Sequence, residues 1–258
     1  MKALALVAAL VRVAHADSKV TLVKPGHGAR HKVRLALTNN ERNTLELELQ
    51  RQYSRGPTFD KLQAEPSDPA LELELDYEIT GIDDKGTASV ALRYHTGKTT
   101  VSNGTCTVLA TGYVRDLHSE LVNGITTDQV LAAEHVFWVA SMLAVPFPDE
   151  EIGVGATWTT TDQVDTPMVT SMITSNPSTR LDRTYELVAL TKATATVRVT
   201  NTYTGDHPGI GSGEIVVDLA SAFPSRGTLS ATTDDPVDPH VVVRRITSTA
   251  TLRRSSSR

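Results

Sequence analysis

Leu71-Glu72-Leu73-Glu74-Leu75-Asp76-Tyr77-Glu78-Ile79 alternates apolar and acidic residues with almost no interruption. A strand turns successive side chains to opposite faces, so this stretch has leucines, Tyr77 and Ile79 on one side and carboxylates on the other. One dry face and one wet face is the signature of an antiparallel sheet. Residues 32–37 and 44–50 alternate in the same way. Ile82-Asp83-Asp84-Lys85-Gly86-Thr87 supplies turn chemistry leading into the alternating run 88–94, so a hairpin is expected there. It lacks the spaced acidic ligands and distal glutamate of a calcium loop. Residues 39–43 read as a hairpin loop and 56–69 as a longer connection. A second series of strands is expected over 183–188, 194–204, 213–219, 227–232 and 241–252. The hairpin from Tyr185 echoes the one from Tyr77, with Thr-Ala-(Ser/Thr)-Val at 87–90 and 194–197, which suggests an internal duplication.

The glutamate rows invite an acid–base reading. Glu46, Glu48, Glu72 and Glu74 all fall on the expected solvent side of their strands, so a wet sheet face accounts for them.

One helix is expected, over 127–144 between the two strand series. Thr126 and Gln129 form a capping box, Asp128 suits the positive end of the helix dipole, and 130–143 is apolar nearly all round. Such a helix has to be covered on more than one side. Val145-Pro146-Phe147-Pro148 ends it, and 152–160 enters a strand with Trp158 as a core anchor.

The first residues set the expected location. Lys2, the apolar run 3–10 and Ala14-His15-Ala16 fit a signal peptide cleaved after residue 16, although Arg12 interrupts the apolar run. The run is far shorter than the roughly 20 apolar residues of a membrane span, and none follows later. The only cysteine, Cys106, lies in an apolar stretch, which excludes an intrachain disulfide, a cysteine zinc cluster and a lipid-bearing first mature cysteine. The formal net charge is −5, and losing Lys2 and Arg12 leaves 23 basic against 30 acidic residues. Nucleic acid is therefore not an expected partner. The expected organisation is a signal peptide over 1–16, a flexible leader over 17–30, one domain over 31–254 and a disordered tail over 255–258.

Candidate chemistry is sparse. Glu134-His135 has no second histidine at helical spacing. Gly209-Ile210-Gly211-Ser212-Gly213 fits neither a nucleotide loop nor a hydrolase elbow and reads as a flexible hairpin entry. Asp234-Asp235-Pro236-Val237-Asp238-Pro239-His240 gathers three carboxylates and an imidazole, the best metal candidate in the chain, yet Asp-Pro pairs are ordinary turn formers. No metal or cofactor is expected.

Phe147-Pro148 followed by Ile152-Gly153-Val154-Gly155-Ala156-Thr157-Trp158 resembles the mid-chain segment of an uncharacterised family of exported bacterial proteins. This chain departs from it at Ala156, where the family often has aspartate. The resemblance implies a curved antiparallel sheet, akin to the open half-barrels of periplasmic lipoprotein carriers, and implies no activity.

The expected fold is mainly β: a large curved antiparallel sheet of about eight to eleven strands, an open half-barrel or sandwich-like, around one central buried helix. Two functions from different classes follow. One is a non-catalytic periplasmic or secreted protein that holds a lipid-like ligand beside Phe137, Trp138, Met142, Leu143 and Trp158, or binds an envelope protein through its sheet edge. The other is a secreted hydrolase built from Asp234, Asp238, His240 and His207.

Overall fold

The computed structural model describes residues 11–13, 19–67, 69–121, 144–165, 178–205, 208–238 and 242–255. Every regular element among them is a strand. The helix expected over 127–144 lies outside the described residues except for Ala144, which is buried non-helical chain. With it, Phe137, Trp138, Met142 and Leu143 also lie outside them. No helix among the described residues is long and apolar enough to cross a membrane.

The chain opens with β1 (Val11–Val13), β2 (Thr21–Lys24) and β3 (His27–His31). An N-terminal meander follows: β4 (Arg42–Gly56), the two-residue β5 (Gln63–Ala64), β6 (Leu71–Ile82), β7 (Ala88–Thr96), β8 (Thr99–Val108) and β9 (Val114–Leu121). Next come β10 (Ile152–Val154) and a second meander of β11 (Thr157–Asp165), β12 (Ser178–Leu190), β13 (Thr194–Gly205), β14 (Gly209–Asp218), β15 (Arg226–Asp238) and β16 (Val242–Ser255).

These strands build one 14-stranded antiparallel sheet in the order β1-β9-β8-β7-β6-β4-β16-β15-β14-β13-β12-β11-β2, with β5 on β4, and a separate pair, β10-β3. Most neighbours are joined by hairpins, which need only local pairing. The joint between the two meanders is non-local: β16 runs along β4 from Val243 opposite Gly56 to Ser255 opposite Thr44. β1, at one end of the order, also approaches β11 near the other end, so the sheet curls on itself without closing.

The alternation sets which face is dry. Leu45, Leu47 and Leu49 of β4, and Leu73, Leu75, Tyr77 and Ile79 of β6, are buried in one core that continues through β7 to β16. Glu46, Glu72 and Glu74 are exposed, as the period of two requires. The glutamates face one another across β4 and β6, Glu46 opposite Glu74 and Glu48 opposite Glu72. Arg253 of β16 stands 3.8 Å from Glu46 on its other side and offsets part of that repulsion. The Asp83 turn forms as expected: its Oδ1 accepts from the backbone N–H of Lys85 and Thr87, at 2.9 and 2.8 Å.

The structure corrects four sequence expectations. The sheet has more strands than the expected eight to eleven. Residues 17–30 are not a flexible leader throughout, because β2 pairs with β11 and β3 with β10. Residues 32–37 alternate but form no strand. They run across the end of the sheet, where the Leu35 N–H donates to Ala110 O at 2.7 Å and the Ala36 N–H to Leu219 O at 2.6 Å, so successive amides serve different partners. This leaves Val33 and Leu35 buried as a cap on the core, beside Ala144, Val145, Phe147, Ala222 and Phe223.

The fourth correction concerns 209–213, which is the first half of β14 and not a hairpin entry. Gly209, Gly211 and Gly213 stand opposite the inward-facing Tyr203, Asn201 and Val199 of β13. A Cβ at Gly213 would overlap the carbonyl oxygen of Thr228, and one at Gly209 that of Thr232. Glycine at alternate positions thus lets β14 lie close against the backbone of β15, a standard device for bending a sheet. Gly213→Ala is expected to cost about 1–3 kcal/mol in equilibrium denaturant unfolding, because backbone must move to admit the methyl group. Ser212→Ala, on the exposed face, serves as the near-neutral control.

Candidate functional site

Trp158, expected to line a ligand trough, fills space instead. β11 turns it inward, where it is fully buried. Its ring stacks on Tyr185 of β12 at 5.5 Å between centroids and 12° between planes, and lies 5.9 Å from Phe147. The indole Nε1 finds no hydrogen-bond partner among the described residues. Trp158 is therefore part of the wall of the core.

Beyond Trp158 the inward face turns polar, which sequence reading missed. Thr160 and Asp162 continue the inward row of β11, while Arg183 of β12 and Asn201 and Tyr203 of β13 stand on the same face. Arg183 Nη2 donates to Asp162 Oδ2 in an ion pair whose side chains are 2% and 0% exposed. The guanidinium lies 5.9 Å from the Tyr185 ring centroid, and Asn201 Nδ2 donates to the Tyr203 hydroxyl at 3.1 Å. Burial pushes Tyr203 up to about 12, against the opposing Asn201 hydrogen bond and Arg183 charge. Burial likewise raises Tyr185. For Arg183 burial disfavours the charge, but the neighbouring Tyr185, Asp162 and Tyr203 hold its pKa above the ordinary value. At neutral pH the cluster is a fixed ion pair among neutral phenols, suited to specifying the packing of β11–β13. Its one available signal was parity: 158, 160 and 162 share a face, as do 181, 183, 185 and 187.

Other expected sites come apart. Asp234 accepts two hydrogen bonds from Arg245, at 2.8 and 3.2 Å, across the β15–β16 ladder. Asp238 ends β15 opposite Val242. His207, His240, Glu134 and His135 lie outside the described residues. Among the described residues no group of three or more His, Cys, Asp or Glu is placed to hold a metal ion. Cys106 is a buried core residue, and burial pushes its thiol up to about 12, far from a reactive thiolate. Asp76 accepts from Thr44 at 2.6 Å and lies 3.1 Å from His95 Nε2, whose Nδ1 is 3.2 Å from Thr100. This chain of contacts ties β4, β6, β7 and β8 together on their outer side.

The most site-like feature lies where the leader was expected. A groove of about 780 Å³ runs between the β3–β10 pair, the segment after β3 and the β12–β13 turn. Its apolar lining is Ala29, Val33, Val154, Leu190 and Leu219. Its polar lining includes His27, His31, Lys32, Arg34, Thr191 and Lys192, with no carboxylate. The volume falls within the roughly 300–1,000 Å³ typical of small-molecule sites.

Local chemistry explains the geometry. Gly26, at φ +81°, and Gly153 let β3 and β10 cross closely, since a Cβ on either would overlap the backbone of the other strand's segment. The His27 imidazole rests over Gly155, so near that a Cβ there would be 3.0 Å from the ring. Thr191 Oγ1 accepts from the Ala193 and Thr194 N–H groups at 3.2 and 2.9 Å, which sets the turn presenting Lys192. Arg34 is already committed: it donates to Pro148 O at 3.0 Å and to Asp149 Oδ1 at 2.6 Å. A neighbouring groove of about 900 Å³ shares Arg34 and also includes Lys19, Lys85 and Arg115, but unlike the first it contains carboxylates, Asp149 and Glu150.

No family model matches this chain, and neither does any curated protein.

Proposed function

We propose that the protein is an exported, non-catalytic binding protein that takes a lipid-like ligand, and that the ligand lies in the groove between the β3–β10 pair and the β12–β13 turn. The observation that carries this reading is the groove itself, with Ala29, Val33, Val154, Leu190 and Leu219 lining about 780 Å³. Val154 is 37% exposed, an apolar side chain of that lining left open to water. The curled, unclosed sheet agrees with a half-barrel architecture, and export rests on the signal-like run of residues 1–16. Within that run, β1 pairs with β9 at the sheet edge, so cleavage after residue 16 would leave β9 as the edge strand.

The test is titration of the full chain with the neutral dye N-phenyl-1-naphthylamine, followed by displacement with a single-chain lipid. Saturable binding is expected, weakened about tenfold or more by Val154→Asp, which places a carboxylate in the apolar lining. Absence of saturable binding, or binding indifferent to Val154→Asp in a variant that unfolds like the parent, would overturn the proposal.

A second reading, partner binding by strand addition, draws on β2. This strand ends the large sheet and carries Val23, which is 64% exposed.

A further inference from the structure

We infer that the groove selects an anionic amphiphile: the tail lies on the apolar lining and a carboxylate or phosphate head sits at the rim among His27, His31, Lys32 and Lys192. This rests on the lipid-binding reading above and adds the chemistry of the ligand's head.

Charge is the first argument. The chain is acidic overall, at −5, yet the groove lining contains three cationic residues, two imidazoles and no carboxylate. Arg34 is answered by Asp149 and contributes little. His27, His31, Lys32 and Lys192 are exposed, and none makes an ion pair among the described residues. Several cations on the sheet are matched to acids across or along the strands, as with Arg42–Glu78, Arg198–Glu186 and Arg245–Asp234. An unmatched cationic rim in a net-negative protein focuses a local positive potential that attracts anions and disfavours cations.

Geometry is the second. Lys32 follows β3 directly and Lys192 sits at the tip of the β12–β13 turn, so the two ammonium groups come to one groove from separate elements. Gly28, at φ +74°, has nothing within 4 Å of where a Cβ would stand, which leaves open space between His27 and Ala29 for a head group. The apolar residues lie beside these cations in the same concavity, so a molecule with a greasy body and a negative end satisfies both parts at once. A zwitterionic head would bring its own cation into the same positive rim.

The experiment compares myristate, lysophosphatidylglycerol and lysophosphatidylcholine as competitors of the neutral dye on the full chain, each below its micelle threshold. Both anionic lipids, or one of them, are expected to bind about tenfold or more tightly than lysophosphatidylcholine at low salt, with the advantage shrinking as ionic strength approaches about 0.5 M. Comparing myristate with lysophosphatidylglycerol tells a carboxylate from a phosphate preference. The double variant Lys32→Glu/Lys192→Glu is expected to abolish the advantage and leave dye and lysophosphatidylcholine affinity in place. Lys32→Gln/Lys192→Gln should fall between. Equal affinity for charged and zwitterionic lipids, or a preference untouched by the charge reversal, would overturn the inference and leave the lipid-binding proposal standing. Failure of the dye and every lipid to bind would overturn both.

Discussion

Trp158→Ala is expected to cost about 3–5 kcal/mol of unfolding free energy, among the largest effects of any single substitution in this chain. The ring is fully buried between Phe147 and Tyr185, and β11, which carries it, is held by β2 on one side and β12 on the other. Truncation leaves a cavity that these paired strands cannot collapse to fill, because each is fixed by its own ladder. The fair comparison is Trp158→Phe. The indole Nε1 has no hydrogen-bond partner among the described residues, so losing it sacrifices no bond there, and the phenyl ring preserves the stack on Tyr185. Denaturant unfolding of all three proteins should rank them parent, phenylalanine, alanine, with similar m-values. An alanine variant within about 1 kcal/mol of the parent would mean that Trp158 does not close the core as described.

Arg183→Met is expected to be comparably damaging, at about 3–5 kcal/mol, because it leaves the Asp162 carboxylate in the interior without its guanidinium. The diagnostic partner is the double variant Asp162→Leu/Arg183→Met. Removing both charges relieves the desolvation penalty of each, so the double variant should be more stable than Arg183→Met alone, against the additivity of independent sites. A double variant that loses the sum of the two single losses would show that the ion pair is not the unit that stabilises β11 against β12. The same measurements at several salt concentrations should show little change for this buried pair, in contrast to exposed pairs such as Arg42–Glu78.

Much of the fold was legible wherever a strand has one wet and one dry side. In β6 the leucines go in and the glutamates stay out, and β7 and β12–β16 each overlap a run whose alternation or turn chemistry marks it. The misses have physical causes. β3 is exposed along its whole length and is a strand only because β10 lies beside it, so no alternation could announce it. Residues 32–37 alternate because Val33 and Leu35 must both be buried, yet their amides bond to Ala110 and Leu219 on different elements, so the apolar period was right and the ladder absent. Asp162 and Arg183 carried no signal of burial beyond strand parity, and the tertiary fold placed both inside. The glycines of β14 looked like a turn because their reason for being there, the close backbone of β15, is a neighbour in space.

The candidate groove was the least legible part. Its lining comes from β3, the segment after it, β10, the β12–β13 turn and Leu219, pieces scattered along the chain from His27 to Leu219. The sequence by itself determined that the protein would be an antiparallel sheet with a leucine-rich interior and an acidic exterior, since side-chain parity is local to each strand. Only the tertiary structure decided which strands meet, which polar residues turn inward and where unpaired cations gather beside open apolar surface. Those outcomes depend on ladder partners and on the closeness of approach between distant segments, and period-two alternation carries no information about either.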